Sequence, residues 1–166
     1  MNIAVYGFMG VGKTTIGRLL AESLGYGFID MDQEIEKRTD TSISEIFRLQ
    51  GEQRFRQLES ELVNELAEKD NLVIACGGGA IANRENAEVM RQSSRMVYLI
   101  ASIPEIIKRT RRNNDRPLLD VSDPVQTASF LLEKREPIYR EFAEIIIDTT
   151  KLTPVEVVER ILEELR

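Results

Sequence analysis

Gly7-Phe8-Met9-Gly10-Val11-Gly12-Lys13-Thr14-Thr15 concentrates in one stretch the residue types that hold a polyphosphate. It fits G-x-x-x-x-G-K-[ST], a loop that turns successive backbone N–H groups inward around the α- and β-phosphates of a nucleotide. Glycines at 7, 10 and 12 leave no Cβ between that backbone and a phosphate. Backbone from Gly10, Val11, Gly12, Lys13, Thr14 and Thr15 would form the cradle. Lys13 adds a mobile cation for the β- and γ-phosphates, and Thr14 a hydroxyl for Mg²⁺. A Gly-rich strand-to-helix turn that binds nothing is the alternative. The Lys-Thr pair and both flanks argue against it: an apolar run at 3–6 precedes the loop, and Ile16, Leu19, Leu20 and Leu24 follow at helical spacing. A phosphate would then sit at a helix N-terminus, where unpaired N–H groups favour an anion.

The other chemistry-bearing residues must say which nucleotide reaction this is. No N-K-x-D guanine reader occurs, and the third apolar strand does not end in the usual Asp; Val73-Ile74-Ala75-Cys76 runs instead into Gly77-Gly78-Gly79. Three glycines at the carboxyl end of a strand admit a ligand close to the backbone, at the sheet edge where α/β folds bind ligands. Acids cluster after the second strand, in Phe28-Ile29-Asp30-Met31-Asp32. If that strand persists, alternation places Asp30 and Asp32 on one side, beside the phosphate loop. Asp30 would then complete a Mg²⁺ shell with Thr14, and Asp32 would orient an acceptor hydroxyl or take its proton. Asp30-Met31-Asp32-Gln33 also has the form of a helix cap with a reciprocal Gln. Arg56 and Glu59 stand three apart, which reads as an ordinary surface ion pair. Arg135 and Arg140, around Glu136-Pro137-Ile138-Tyr139, read the same way.

The elements that must position these groups alternate along the chain. Strands are expected at 3–6, 27–30, 72–75, 96–100 and 144–147, with helical patterns between them, which favours a parallel sheet covered on both faces. Ser42-Ile43-Ser44-Glu45 and Ser102-Ile103-Pro104-Glu105 fit the capping box, and Thr153-Pro154-Val155-Glu156 fits it with Pro in the first turn. Asp123-Pro124 reads as a cap for a helix running toward Tyr139. The pattern over 52–69 puts Phe55, Leu58, Leu62 and Leu66 on one face. Residues 113–122 are irregular and polar, and follow the cations Lys108, Arg109, Arg111 and Arg112. Beside a phosphate loop they read as a lid that lays arginines over a triphosphate.

Composition excludes several classes. The formal net charge of −6 argues against a duplex-binding module. With no histidine, His-based acid/base chemistry and His-ligated metal are excluded. Cys76 is the one cysteine, expected to be buried bulk, so no intrachain disulfide forms and nothing suggests an oxidising compartment. No basic leader precedes the first strand, and no apolar run nears the ~20 residues that cross a bilayer. A cytoplasmic protein with no nucleic-acid or membrane partner is expected.

Taken together the motifs resemble the shikimate kinase family, in order and over essentially the whole chain. The resemblance rests on Gly7 to Thr15 followed by Ile16-Gly17-Arg18, on Asp30-x-Asp32 followed by Glu34-Ile35-Glu36, and on Gly51-Glu52-Gln53-Arg54-Phe55-Arg56-x-x-Glu59. Gly77-Gly78-Gly79-Ala80, Arg116-Pro117-Leu118-Leu119 and Lys134-Arg135-x-Pro137-x-Tyr139 complete it. The phosphate loop is generic; the later segments are far more specific. The resemblance implies a three-layer α/β P-loop fold of the nucleoside-monophosphate-kinase type. A single domain over 1–166 would carry a central five-stranded parallel sheet, a substrate-binding region at about 31–60 and a lid at about 111–123. It implies phosphoryl transfer from Mg-ATP to the 3-hydroxyl of shikimate, on the route to aromatic amino acids, by what is commonly a monomer. By the family pattern Asp32 receives the reacting hydroxyl, Arg56 and Arg135 grip the carboxylate, and backbone at Gly77, Gly78 and Gly79 meets ring hydroxyls. Phe47 and Phe55 line the pocket, Arg116 reaches the transferred phosphate, and Arg109 and the loop before Pro154 lie near adenine. Rival readings are a gluconate kinase, which shares loop and lid, and a nucleotide-gated binding module that phosphorylates no small molecule.

Overall fold

Strand β1 (Asn2–Gly7) is buried at every position, and it occupies the centre of the sheet. A strand flanked on both sides and covered on both faces does not alternate, and the Asn2 side chain buried in this one is hydrogen-bonded to Leu66, Lys69 and Leu72. In the computed structural model, which describes residues 1–111 and 122–166, the sheet order is β2-β3-β1-β4-β5. Its other strands are β2 (Gly27–Asp30), β3 (Leu72–Ala75), β4 (Ser94–Ile100) and β5 (Ile145–Asp148), and every pairing is parallel. The phosphate loop and the triple glycine therefore leave neighbouring strands, β1 and β3, at the same carboxyl edge.

Helix α1 (Lys13–Leu24) follows the loop, and α2 (Met31–Thr39), α3 (Ile43–Gln50) and α4 (Glu52–Ala67) lead to β3. Then come α5 (Gly78–Ala82), α6 (Arg84–Ser93), α7 (Ile103–Arg111), α8 (Pro124–Phe142) and α9 (Pro154–Leu165). Two apolar clusters form, one on each face of the sheet. Ile3, Val5, Val97 and Leu99 meet Leu20, Ile106 and Ile161 in one. Ala4, Tyr6, Ile74 and Tyr98 meet Met31, Ile46, Leu62, Met90 and Tyr139 in the other. No described helix is long and apolar enough to cross a membrane.

The caps differ from expectation in an instructive way. Thr153 and Glu156 form the complete reciprocal box. Ser42 accepts from the Glu45 N–H at 3.2 Å, but the Glu45 carboxylate is taken by Arg48 at 2.7 Å. Likewise Ser102 accepts from Glu105 N–H while Glu105 binds Arg109. An arginine one turn on outcompetes the cap backbone for the glutamate, since a charged donor makes the stronger bond. Asp123 caps α8 by accepting from Gln126 N–H.

Candidate active site

The phosphate loop is held in its cradle form by left-handed backbone at Gly10 (φ 79°) and Gly12 (φ 94°), the latter capping α1. Lys13 Nζ donates to the carbonyl oxygen of Gly7 at 3.0 Å, across the mouth of the loop. Arg109 rivets the loop from outside, donating to Gly10 O at 3.3 Å and to the backbone and hydroxyl oxygens of Thr149 at 3.1 Å.

Strand β2 does not persist to Asp32, which corrects the alternation expected there. It ends at Asp30, whose Oδ1 accepts from Gln33 N–H and caps α2. The other oxygen of Asp30 accepts the Thr14 hydroxyl. Asp30 thus caps a helix, as one of its two readings had it, and also bonds the threonine beside the phosphate cradle. Asp32 reaches the same cavity from the first turn of α2 rather than from a strand.

The triple glycine explains itself in three dimensions. A Cβ at Gly77 would lie 3.0 Å from both Asp32 Oδ1 and Glu59 Oε2. At Gly78 it would lie 2.9 Å from the Tyr139 hydroxyl and 3.2 Å from Arg135 Nη1. At Gly79 it would strike the Arg56 guanidinium, with Cζ at 2.5 Å. Besides any ligand, the missing Cβ atoms make room for five side chains of this protein, from α2, α4 and α8. Gly78 and Gly79 also lie inside the first turn of α5, not in an open loop.

Arg56 and Glu59 are bound at 2.6 Å, but Glu59 is only 2% exposed, so the surface pair expected from the sequence is a buried one. Burial pushes the Glu59 carboxyl up to about 7; Arg56 opposes the shift, Asp32 adds to it and Arg135 opposes it. Burial also works against the Arg56 charge, but Glu59 and Glu52 more than offset it and raise that pKa. The raised folded pKa has a definite consequence. Glu59 favours the fold fully below its ordinary 4.5, and that contribution is lost as pH rises through about 7. Between about pH 5 and about pH 8 the protein should lose stability, relative to Glu59→Gln, on the order of 3 kcal/mol. Urea unfolding across that range measures it, and parallel curves for the two proteins would remove Glu59 as the source.

One cavity of about 670 Å³ takes in Gly10, Gly12, Lys13, Thr14, Thr15, Asp30, Asp32, Phe47, Phe55, Arg56, Gly77, Gly78, Gly79, Arg109 and Arg135. Such a volume lies within the range of small-molecule sites. Phe47 and Phe55 meet edge to face at 5.1 Å and give it an apolar wall. Val11 is buried and outside the lining, as is exposed Pro154, the first residue of α9. Arg116 and most of the expected lid lie outside the described residues. The sequence reading missed Glu59 as a buried partner, and Tyr139 as a contact of the glycine turn. It named Cys76 correctly as buried; burial pushes the thiol up to about 12, which leaves it unreactive.

A family model described as shikimate kinase matches residues 9–166. The chain belongs to the shikimate kinase family. A shikimate kinase from Pseudomonas savastanoi pv. phaseolicola is 47% identical over 99% of this chain and 95% of its own length. A shikimate kinase from Acinetobacter baumannii, solved in complex with shikimate, is 43% identical and superposes with a TM-score of 0.95, covering 99% of this chain and 92% of that one. A gluconokinase from Sinorhizobium meliloti, at 21% identity and a TM-score of 0.65 over 99% of this chain and 90% of its own, shares the fold alone.

If Arg56 grips a carboxylate, its loss should fall on one substrate. Arg56→Ala should raise the acceptor KM about 10- to 100-fold, the worth of a charged hydrogen-bond pair, and move the ATP KM less than about threefold. Steady-state kinetics in each substrate decide it; equal losses would count against the assignment.

Proposed function

We propose that this chain transfers the γ-phosphoryl group of ATP to the 3-hydroxyl of shikimate, on the route to aromatic amino acids. The observation that carries the reading is that one cavity joins a phosphate cradle to a cluster of two arginines, an aspartate and a close-packed glycine turn. A hydroxylated ring acid needs cations for its carboxylate, acceptors for its hydroxyls and an apolar wall for its carbons. Arg56 and Arg135 meet the first need, Asp32 and backbone at Gly77, Gly78 and Gly79 the second, Phe47 and Phe55 the third. Asp32 holds the reacting hydroxyl with its oxygen toward the γ-phosphate and accepts its proton as the bond forms. A loose transition state asks little of a base, so orientation is the larger part of that role. Lys13 neutralises charge on the β- and γ-phosphates, and Arg109 with the loop before Pro154 borders the adenine.

The Thr14 hydroxyl and the Asp30 carboxylate fit Mg²⁺, a cation that keeps several waters and uses one or two carboxylate-type ligands alongside substrate phosphates. When bound, it neutralises charge between the β- and γ-phosphates. We take the protein to work as a cytoplasmic monomer formed of one domain.

ADP release in a coupled assay tests the reading, with ATP and a panel of shikimate, gluconate and other polyhydroxy acids. Shikimate should be preferred by orders of magnitude. Preference for gluconate, or ATP binding without acceptor-dependent turnover, would overturn it.

A further inference from the structure

Tyr139 is fully buried in α8, one turn beyond Arg135, and its hydroxyl donates to the Gly78 carbonyl oxygen at 2.6 Å. The same hydroxyl packs beside the Arg135 guanidinium: a Cβ on Gly78 would lie 2.9 Å from the hydroxyl and 3.2 Å from Arg135 Nη1, and the guanidinium works against the rise that burial imposes on the phenol. The bond to Gly78 joins the glycine turn after β3 to α8 across 61 residues of sequence. Burial raises the phenol to about 12, so it stays a neutral donor at working pH. Its backbone is fixed too. Tyr139 O lies in the last turn of α8, where carbonyls lack intrahelical partners, and it accepts from Tyr6 Oη on central strand β1 at 2.6 Å. The ring packs against Tyr6 and Tyr98, with centroids 5.6 and 5.3 Å away.

We propose that Tyr139 is a positioning residue for the transfer reaction, its hydroxyl locking the Arg135 guanidinium against the Gly78 turn. It touches no substrate. A long side chain such as arginine carries much rotamer freedom, and a partner that restricts it before binding removes part of that cost from the acceptor. This rests on the reading of Arg135 as a grip for the acceptor's carboxylate.

Tyr139→Phe keeps every ring contact and deletes one oxygen. It should raise the shikimate KM about 10-fold, the worth of one buried hydrogen bond, and leave kcat and the ATP KM within about threefold. Tyr6→Phe is the matched control. It deletes a hydrogen bond of equal length from the same tyrosine cluster, so it should lower the thermal midpoint comparably without moving the shikimate KM. An equal KM rise in both variants, or none in Tyr139→Phe, overturns the proposal. In an Arg135→Ala background, Tyr139→Phe should add nothing to the shikimate KM; an undiminished 10-fold effect there overturns it as well. Arg135→Ala alone separates the two readings: if it does not raise the shikimate KM, the carboxylate grip fails, and with it this proposal's premise. A measurement on the intact protein needs no variant. The Arg135 Nη protons should exchange with solvent at least about 10-fold more slowly than those of exposed Arg160, by nitrogen-15 NMR; equal rates overturn the proposal.

Discussion

Lys13→Ala should lower kcat/KM for ATP on the order of 10³-fold, while the thermal midpoint moves by no more than a few degrees. Removing one preorganised charge aimed at the transferring group costs about 4 kcal/mol of transition-state stabilisation at that ratio. The structure says why the fold should tolerate it. The loop's shape is held by the backbone at Gly10 and Gly12, by the Arg109 bonds to Gly10 and Thr149, and by buried Phe8, Val11 and Ile16. Lys13 adds to this the Gly7 carbonyl contact, which is part-buried and worth little in folding terms. Steady-state kinetics beside a melting curve separate the two effects. A variant that keeps its rate would mean that the phosphates are neutralised elsewhere, and a variant that unfolds would make Lys13 structural.

Asp32→Asn should come second in size, lowering kcat about 10²- to 10³-fold with the shikimate KM changed by less than about fivefold. The amide preserves volume and can still accept a hydrogen bond, so what disappears is the proton acceptor and the negative charge. As a first-turn acid of α2, Asp32 also interacts favourably with the helix N-terminus, and its loss there costs up to about 1 kcal/mol of stability. A second readout keeps the roles apart. The Asp32 charge helps to raise the Glu59 pKa from across Gly77, so the Asn variant should shift the Glu59 titration downward. Unchanged kcat with a shifted titration would leave Asp32 as an electrostatic neighbour and helix-start residue only.

What the sequence disclosed follows the range of the forces involved. The phosphate loop was legible because its requirements are local: glycines where the backbone turns left-handed, a lysine and a threonine at the helix start, apolar flanks. Parallel order was legible because the strands read as unbroken apolar runs separated by helical patterns, and all five lie within two residues of where they were expected. Whether Asp32 continued the strand or began a helix was left open, because period-2 spacing carries no signal of where a strand stops; the Asp30 cap, itself readable, ends it at the expected residue. Glu59 was out of reach for a different reason. An Arg and a Glu three apart look the same on an open helix face and in a buried one, and only the packing of α4 beside Gly77 decides. Tyr139 is a harder case still, since its partners lie on β1 and at the end of β3, and no spacing rule connects residues so far apart. The glycine turn was found at the right place but for half of its reason, its neighbours being mostly other parts of this chain.

The central place of β1 has an outcome for how the molecule is made. The phosphate loop is synthesised before both of its flanking strands, since the strand that carries it pairs with residues 73–75 on one side and 94–99 on the other. The Asn2 side chain is likewise tied to Leu66, Lys69 and Leu72. Until Leu99 has cleared the ribosome the strand has no complete set of neighbours, and its backbone groups must wait in water or in non-native company. ATP cannot act as a template for the nascent loop alone, and it rewards folding only after both flanking strands exist.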